Sequence, residues 1–475
     1  MKLLRFSTSV KYGLILLAIC YIYFIGAAVH AQAPDEHYER RAQEVIAGLM
    51  RLNGLLGWDP VNPSTWPPAS FNLNEDGDSG GSINRQAVGV SFTQTTPARL
   101  TGLRLANLGL TRVADFSGLD ALMSLEVPGN SLRSLNLAGD TALRRLTAMK
   151  NQLTGLDVRH CGELLWLAAS GNRLGKLDLS GNPLLRELSV SMNQLGGLDV
   201  SANPQLTVLE AMNNQLSELT VERNPNLARL LVSYNQLDEL FVGRNPELVE
   251  LGARDNNLRR LDLSANSGLR ELTVSRNRLT DLDLSLNPRL ETLLADQNSL
   301  PILDLSANPE LETVQISQNP LVEVRLGDNR MTRLRNLNVE GCRLPLSRLH
   351  HLSGLAKSRG RLGTQEDVLF EERTIELKDG LALLDLSSEA VIGGEPTTFL
   401  ALNEKRRRLR PSDYRVENGI IVFFKPGLYV VMMTNPKVFS SEINQLTGRV
   451  HEIKAKAYTG VIEVAGPTGG DGQDL

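Results

Sequence analysis

Aromatic side chains are scarce in this chain, 5% of 475 residues, which argues against a set of ordinary globular cores built around Phe, Tyr and Trp. Cysteine is nearly missing: Cys20, Cys161 and Cys342 are all there is, too few for a disulfide framework or a four-thiolate zinc site. No sign of charge dominates, since 50 Lys and Arg stand against 54 Asp and Glu for a formal net charge of -4. Neither a nucleic-acid partner nor an acidic substrate is implied. Neither H-E-x-x-H nor a P-loop occurs, and no catalytic residue, metal site or cofactor is expected. One long apolar run is present, at 12–29, behind Lys2, Arg5 and Lys11. With small residues at Ala31 and Ala33 it reads as an export signal over 1–33. An uncleaved membrane anchor is the other reading, because the run approaches the length of a transmembrane helix.

Asparagine supplies the order. Sixteen of them, from Asn172 to Asn329, are spaced by alternating steps of 10 and 11, a 21-residue period. Asn172, Asn193, Asn214, Asn235, Asn256, Asn277 and Asn298 close the first half of each unit, L-x-(V/A)-x-x-N-x-L. The second half reads L-D-L-S-x-N-P, in which Pro after Asn stops a strand or helix and fixes a turn. Cys161 falls on the same clock as a substitute for Asn, and Cys342, 23 residues after Asn319, closes a unit of the same frame. With stacked coils about 4.8 Å apart, they lie far beyond disulfide reach.

Strand side chains alternate, so Val127, Ala148, Ala169, Val190, Ala211 and Val232 should stack inside while the positions between them line a parallel sheet. Most of those outward positions are small or polar, such as Ser170, Ser191 and Ser233. Trp166, Met192, Met212, Leu231 and Tyr234 stand out on four consecutive coils. They form a candidate binding stripe for a protein or glycan partner, unless a neighbouring coil or loop covers them. Asp157, Asp178 and Asp199 recur in the second half, as do Asp262, Asp283 and Asp304. Carboxylates at that spacing fit a shared calcium ion, yet the Ser two positions on points to local hydrogen bonds.

The flanks differ from the repeats. Apolar residues at helical spacing over 38–50 predict a capping helix inside an N-terminal cap of 34–99, and leucines behind Pro345 predict a second over 346–365. Short β-rich runs over 366–466 predict a small sandwich, and the glycine-rich stretch 467–475 a flexible tail. The basic residues Lys405, Arg406, Arg407, Arg408 and Arg410 lie between predicted strands. They read as a solvated hairpin or as a contact for an anionic surface polymer.

The unit L-x-V-S-x-N-Q-L-x-x-L-D-V-S-x-N-P-x-L, at 188–206, resembles the 21-residue leucine-rich repeats of bacterial internalin-type surface proteins, the internalin J class. That resemblance covers 100–345. It implies an α+β, β-rich chain: a leucine-rich-repeat solenoid with helical caps, followed by an Ig-like sandwich. It further implies an exported recognition or adhesion module, secreted, periplasmic or cell-surface, that binds through the concave face of its repeats. A membrane enters only if the N-terminal segment is uncleaved. The class often carries a cysteine where this chain has Val190, Ala211 or Val232, and the wall-anchoring motif common to it is absent. A structural envelope scaffold without a defined ligand is the alternative function, and an enzyme with its chemistry in the sandwich is the remaining one.

Overall fold

A computed structural model describes residues 88–92, 100–107, 109–326, 332–353, 359–361, 364–368, 374–376, 381–392, 394–443, 450–459 and 461–465. The export segment, the predicted helix over 38–50 and Asn329 lie outside them. The chain divides into two compact units, Met1–Glu247 and Leu248–Leu475.

The first unit is a stack of coils with one short strand per turn. Val88–Phe92 runs antiparallel to Leu100–Leu105 and covers the outer edge of that strand, a protection that open sheet edges need. From there every pairing within the unit is parallel. Arg145 pairs with Trp166, Trp166 with Glu187, Glu187 with Val208 and Val208 with Arg229, each step advancing one 21-residue coil. Each strand is three residues long, and its central leucine is buried: Leu146, Leu167, Leu188, Leu209 and Leu230 are each 0% exposed. The valines and alanines two positions on, including Val190, Ala211 and Val232, are equally closed off. They stack in one file, as the period requires.

The return half of each coil is made mainly of turns, with a short parallel pair near the start of the first unit, Thr111–Asp115 with Ser131–Asn136, and another in the second unit, Ile302–Asp304 with Glu323–Arg325. The pattern leaves no room for a helix: Leu198 and Val200 are buried only two residues apart, and Asn203-Pro204 then forces the chain back.

The second unit begins with the same coils. Glu250, Glu271, Thr292, Thr313, Asn336 and Arg359 pair in sequence, all parallel. Helix α1 (Leu346–Ser353) occupies the start of the predicted closing helix, with Leu346, Leu349 and Leu352 buried. The predicted helix to 365 is shorter than expected, because Arg359–Arg361 returns to the sheet as one more strand. The start of α1 is tied to a distant carboxylate: Ser347 donates its N–H to Glu389 Oε2 at 2.9 Å and its hydroxyl to Oε1 at 2.5 Å.

Beyond α1 lie β-sheets. The 17-residue strand Gly427–Ile443 pairs antiparallel with Thr398–Asn403, Val450–Thr459 and Ile462–Ala465. Thr364–Val368 and Thr374–Glu376 add parallel edges. Ala382–Asp385, Ile420–Phe423 and Tyr414–Glu417 form a separate antiparallel sheet. Its hairpin turns on Asn418 and Gly419, with φ of 48° and 85°, the left-handed pair of a tight two-residue turn. A Cβ on Gly419 would come within 2.7 Å of Ser387 Cα, so no larger residue fits there.

Candidate partner-binding surface

The surface is set by what happens just after each strand. In the coil of Met192, the chain leaves Val190, turns through a left-handed residue and reaches Asn193. Asn193 Oδ1 accepts the N–H of Leu174 at 3.0 Å, and its Nδ2 donates to Ala169 O at 3.1 Å and Val190 O at 2.9 Å. Asn172, Asn214, Asn235, Asn277 and Asn298 donate in the same way to a carbonyl of the preceding coil and to one of their own. Asn256 donates to Ala253 O at 3.1 Å. All seven are at most 9% exposed.

Swinging that amide inward throws the preceding side chain outward. The residue before the asparagine has positive φ in every one of these coils: Lys150, Gly171, Met192, Asn213 and Tyr234 in the first unit, and Asp255, Arg276, Gln297 and Gln318 in the second, as does Gly341 before Cys342. A left-handed backbone suits Gly, Asn and Asp and costs a bulky side chain roughly 1 kcal/mol. Met192 (φ 55°) and Tyr234 (φ 59°) bear that cost. They are also 55% and 44% exposed, among the most open large apolar side chains of the unit.

The other three predicted contacts fall elsewhere. Met212 is half-buried, one position earlier in its coil, and its N–H donates to Ser191 Oγ at 3.1 Å. It stands in a column with Ser170, Ser191 and Ser233, which the sequence pattern placed on the open face. The structure buries those three, at 9%, 6% and 7% exposure, and two of their hydroxyls tie one coil to the next: Ser170 Oγ meets Ser189 Oγ at 3.0 Å, and Ser191 Oγ accepts the Met212 N–H. Leu231 is likewise not an exposed anchor. It is 8% exposed, since strand residues two apart share a face and Arg229 and Ser233 flank it there. Trp166 sits half-buried at the start of its strand, with the Arg145 guanidinium 4.0 Å above its ring.

The structure therefore brings Met192, Met212 and Tyr234 together on three consecutive coils just past the strands and leaves Trp166 at the opposite strand end. Asn213, between Met192 and Tyr234 in the outward column, was not singled out by the pattern. The glycines at 129, 171 and 341, each one residue before Asn130, Asn172 or Cys342, were the signal for that column. Between the two ends runs a polar lattice: Ser189 Oγ donates to Glu210 at 2.8 Å, and Arg229 pairs with Glu210 at 3.4 Å.

The aspartate rows are occupied by their own turns. Asp178 Oδ1 accepts the Ser180 N–H at 3.0 Å and its hydroxyl at 2.6 Å. Asp199, Asp262, Asp283 and Asp304 hold Ser201, Ser264, Ser285 and Ser306 likewise. The serine hydroxyl and N–H hold these carboxyls below the usual range. In Asp157 the Arg159 side chain does so more strongly, to about 2. Among the described residues no group of three or more His, Cys, Asp or Glu converges on a metal position. Cys161 and Cys342 are buried, and burial pushes both thiols up to about 12, which removes them as nucleophiles at neutral pH.

A 21-residue coil, a leucine at the centre of each strand and an inward asparagine after it decide the class. The coils are leucine-rich repeats. No protein-family model matches the sequence, and no curated protein matches it. Among solved structures the chain is similar to the functional domain of internalin J from Listeria monocytogenes, which includes a cysteine ladder (24% identity, 76% of this chain and 90% of that one, TM-score 0.41). It is similar also to an internalin, InlF, of the same organism (18% identity, 55% and 86%, TM-score 0.45). A third is YopM from Yersinia enterocolitica (23% identity, 58% and 66%, TM-score 0.38). The repeats of this chain carry asparagine in both rows, with one cysteine in each.

Proposed function

We propose that this is a non-enzymatic recognition protein that binds a protein or glycan partner through the strand face of its repeats, with Met192, Met212 and Tyr234 at the centre and Trp166 as an outlying contact. One observation carries the reading: Met192 and Tyr234 place large apolar surface in water at backbone positions where Gly171 and Asn213 sit without strain. Neither solvation nor folding favours that choice, and residues that break local rules without compensation concentrate at functional sites. Methionine and tyrosine are also side chains that binding surfaces favour. The N-terminal charge and apolar pattern supports export, to a secreted, periplasmic or cell-surface location. The C-terminal sheets, read as a small sandwich, serve as spacer or second contact.

The test is capture of a partner from neighbouring-cell surfaces by the exported chain, compared with a Met192→Ala, Met212→Ala, Tyr234→Ala variant of unchanged melting temperature. Central anchors of this kind are worth about 2 kcal/mol each, so affinity should fall by at least about 100-fold. Equal capture by both forms would remove this surface from the reading and favour the scaffold alternative.

A further inference from the structure

The repeats leave one charged feature unexplained, at the far end of the second unit. Residues 404–410 hold Lys405, Arg406, Arg407, Arg408 and Arg410 against the single acid Glu404, in a chain with a net charge of -4. This turn is built rather than loose. Asn403 N–H donates to Arg407 O at 2.9 Å, Arg406 N–H to Asn403 O at 2.8 Å, and Arg407 N–H to the Asn403 side chain at 2.9 Å. Arg406 takes the left-handed conformation, φ 54°, and its guanidinium lies 4.6 Å over the Tyr458 ring. Leu402 and Arg408 then form a bridge that closes the loop.

With Arg406 pinned, Lys405, Arg407 and Arg408 project into solvent. Asp413, at the return of the loop, is taken by Lys425 Nζ at 2.7 Å, and among the described residues none of the three cations forms an ion pair. Like charges held this close repel one another. The strand register adds a second element. Asn403 pairs with Tyr429, and Tyr429 with Ile462, so Leu428 and Val461 belong to the same end of the sheet as the basic turn. They are 43% and 51% exposed. Acids share this end of the sheet as well: Glu463 lies opposite Leu428, and Glu376, on the next strand, opposite Ala465.

We propose that this end of the C-terminal sheet docks on an anionic phospholipid surface. Arginine forks match phosphate oxygens in pairs, a rigid turn presents them without an ordering cost, and Leu428 and Val461 enter the headgroup layer beside them. The aliphatic pair favours lipid over a soluble polyanion, which would meet the cations and leave both side chains in water.

The full chain is tested by co-sedimentation with vesicles of phosphatidylcholine containing phosphatidylglycerol, with pure phosphatidylcholine vesicles as control. Two variants accompany it: Lys405→Glu, Arg407→Glu, Arg408→Glu together, with Arg406 kept so that the Tyr458 contact survives, and Leu428→Ser alone. Unchanged thermal unfolding serves as the folding control for both. The wild type should bind only the anionic vesicles and release them at high salt. The triple variant should bind on the order of 100-fold more weakly, from the usual membrane contribution of each basic residue, and Leu428→Ser several-fold more weakly. Equal binding to both vesicles, no binding to either, or no loss in the triple variant overturns the proposal. So does inorganic polyphosphate bound as tightly as vesicles with no effect of Leu428→Ser, which assigns the turn to a soluble polyanion. Vesicle binding unchanged by the Met192, Met212, Tyr234 variant keeps this result separate from the repeat surface.

Discussion

Two rows of asparagine run through the coils half a repeat apart, and they are not equally well satisfied. In the row after the strands, the amide of Asn193 uses both donors and its acceptor, reaching two coils at once. In the row of the return turns, Asn203 Nδ2 donates to Leu179 O at 3.1 Å and Asn182 O at 2.8 Å. Its Oδ1 is buried and has no partner among the described residues, as is true of Asn182, Asn224, Asn287 and Asn308. An orphaned buried carbonyl is a cost. The second row therefore gains less from asparagine, and it is the row that tolerates Asp140 and Cys161. The first row is asparagine without a break from Asn130 to Asn319, spaced by 21 residues, before Cys342 ends it.

The sharpest test removes one amide from each row. Asn193→Ala strips the Leu174 N–H of its acceptor and two carbonyls of their donor, and should cost about 3–5 kcal/mol in denaturant unfolding. Asn203→Ala loses two bonds and relieves an orphan, so about 1–2 kcal/mol is expected. Equal losses would break the comparison. A smaller effect, of the opposite sign, comes from restoring the second row. Cys161→Asn should stabilise by about 1 kcal/mol through donation to the preceding coil; a lower melting temperature would mean that the thiol packs there better than an amide. In the wild type, both thiols should resist alkylation at pH 7 until the chain unfolds.

The smallest effect concerns the turn that leads into Cys161. Asp157 is depressed to about 2 by Arg159, below its usual unfolded value of about 3.9. A lowered carboxyl contributes stability above pH ~3.9 and loses it as pH falls toward the folded value. An NMR titration should place its midpoint near 2, and Arg159→Ala should raise it. An unmoved midpoint would assign the shift to the backbone instead. The pair is solvent-exposed, so the change in overall stability should be slight.

The repeat was legible because leucine and asparagine recur on a fixed period that only stacked coils satisfy. The serine of each Asp-x-Ser turn was legible for the same reason, since its partner lies two residues away. What the pattern hid depends on the neighbouring coil: Ser170, Ser191 and Ser233 look outward in one coil taken alone, yet all three are buried in the stack. Leu231 was misplaced in the same way. In the C-terminal sheets, one strand runs from Gly427 to Ile443 and passes Asn435 and Pro436 through a register shift between Thr434 and Phe439, where proline is tolerated in a sheet. Asn435 is fully buried and donates to Glu395 O at 3.0 Å, a distant partner that no local spacing encodes.

The outward column ahead of the first asparagine row accepts Gly, Lys, Met, Asn, Tyr, Asp, Arg and Gln with one backbone geometry. Each coil thus offers a socket whose contents folding does not dictate, and successive sockets within a unit lie about 4.8 Å apart. Specificity can drift by single substitutions while the scaffold stays intact. Inserting or deleting one 21-residue coil would slide every later contact along the row without disturbing any of them.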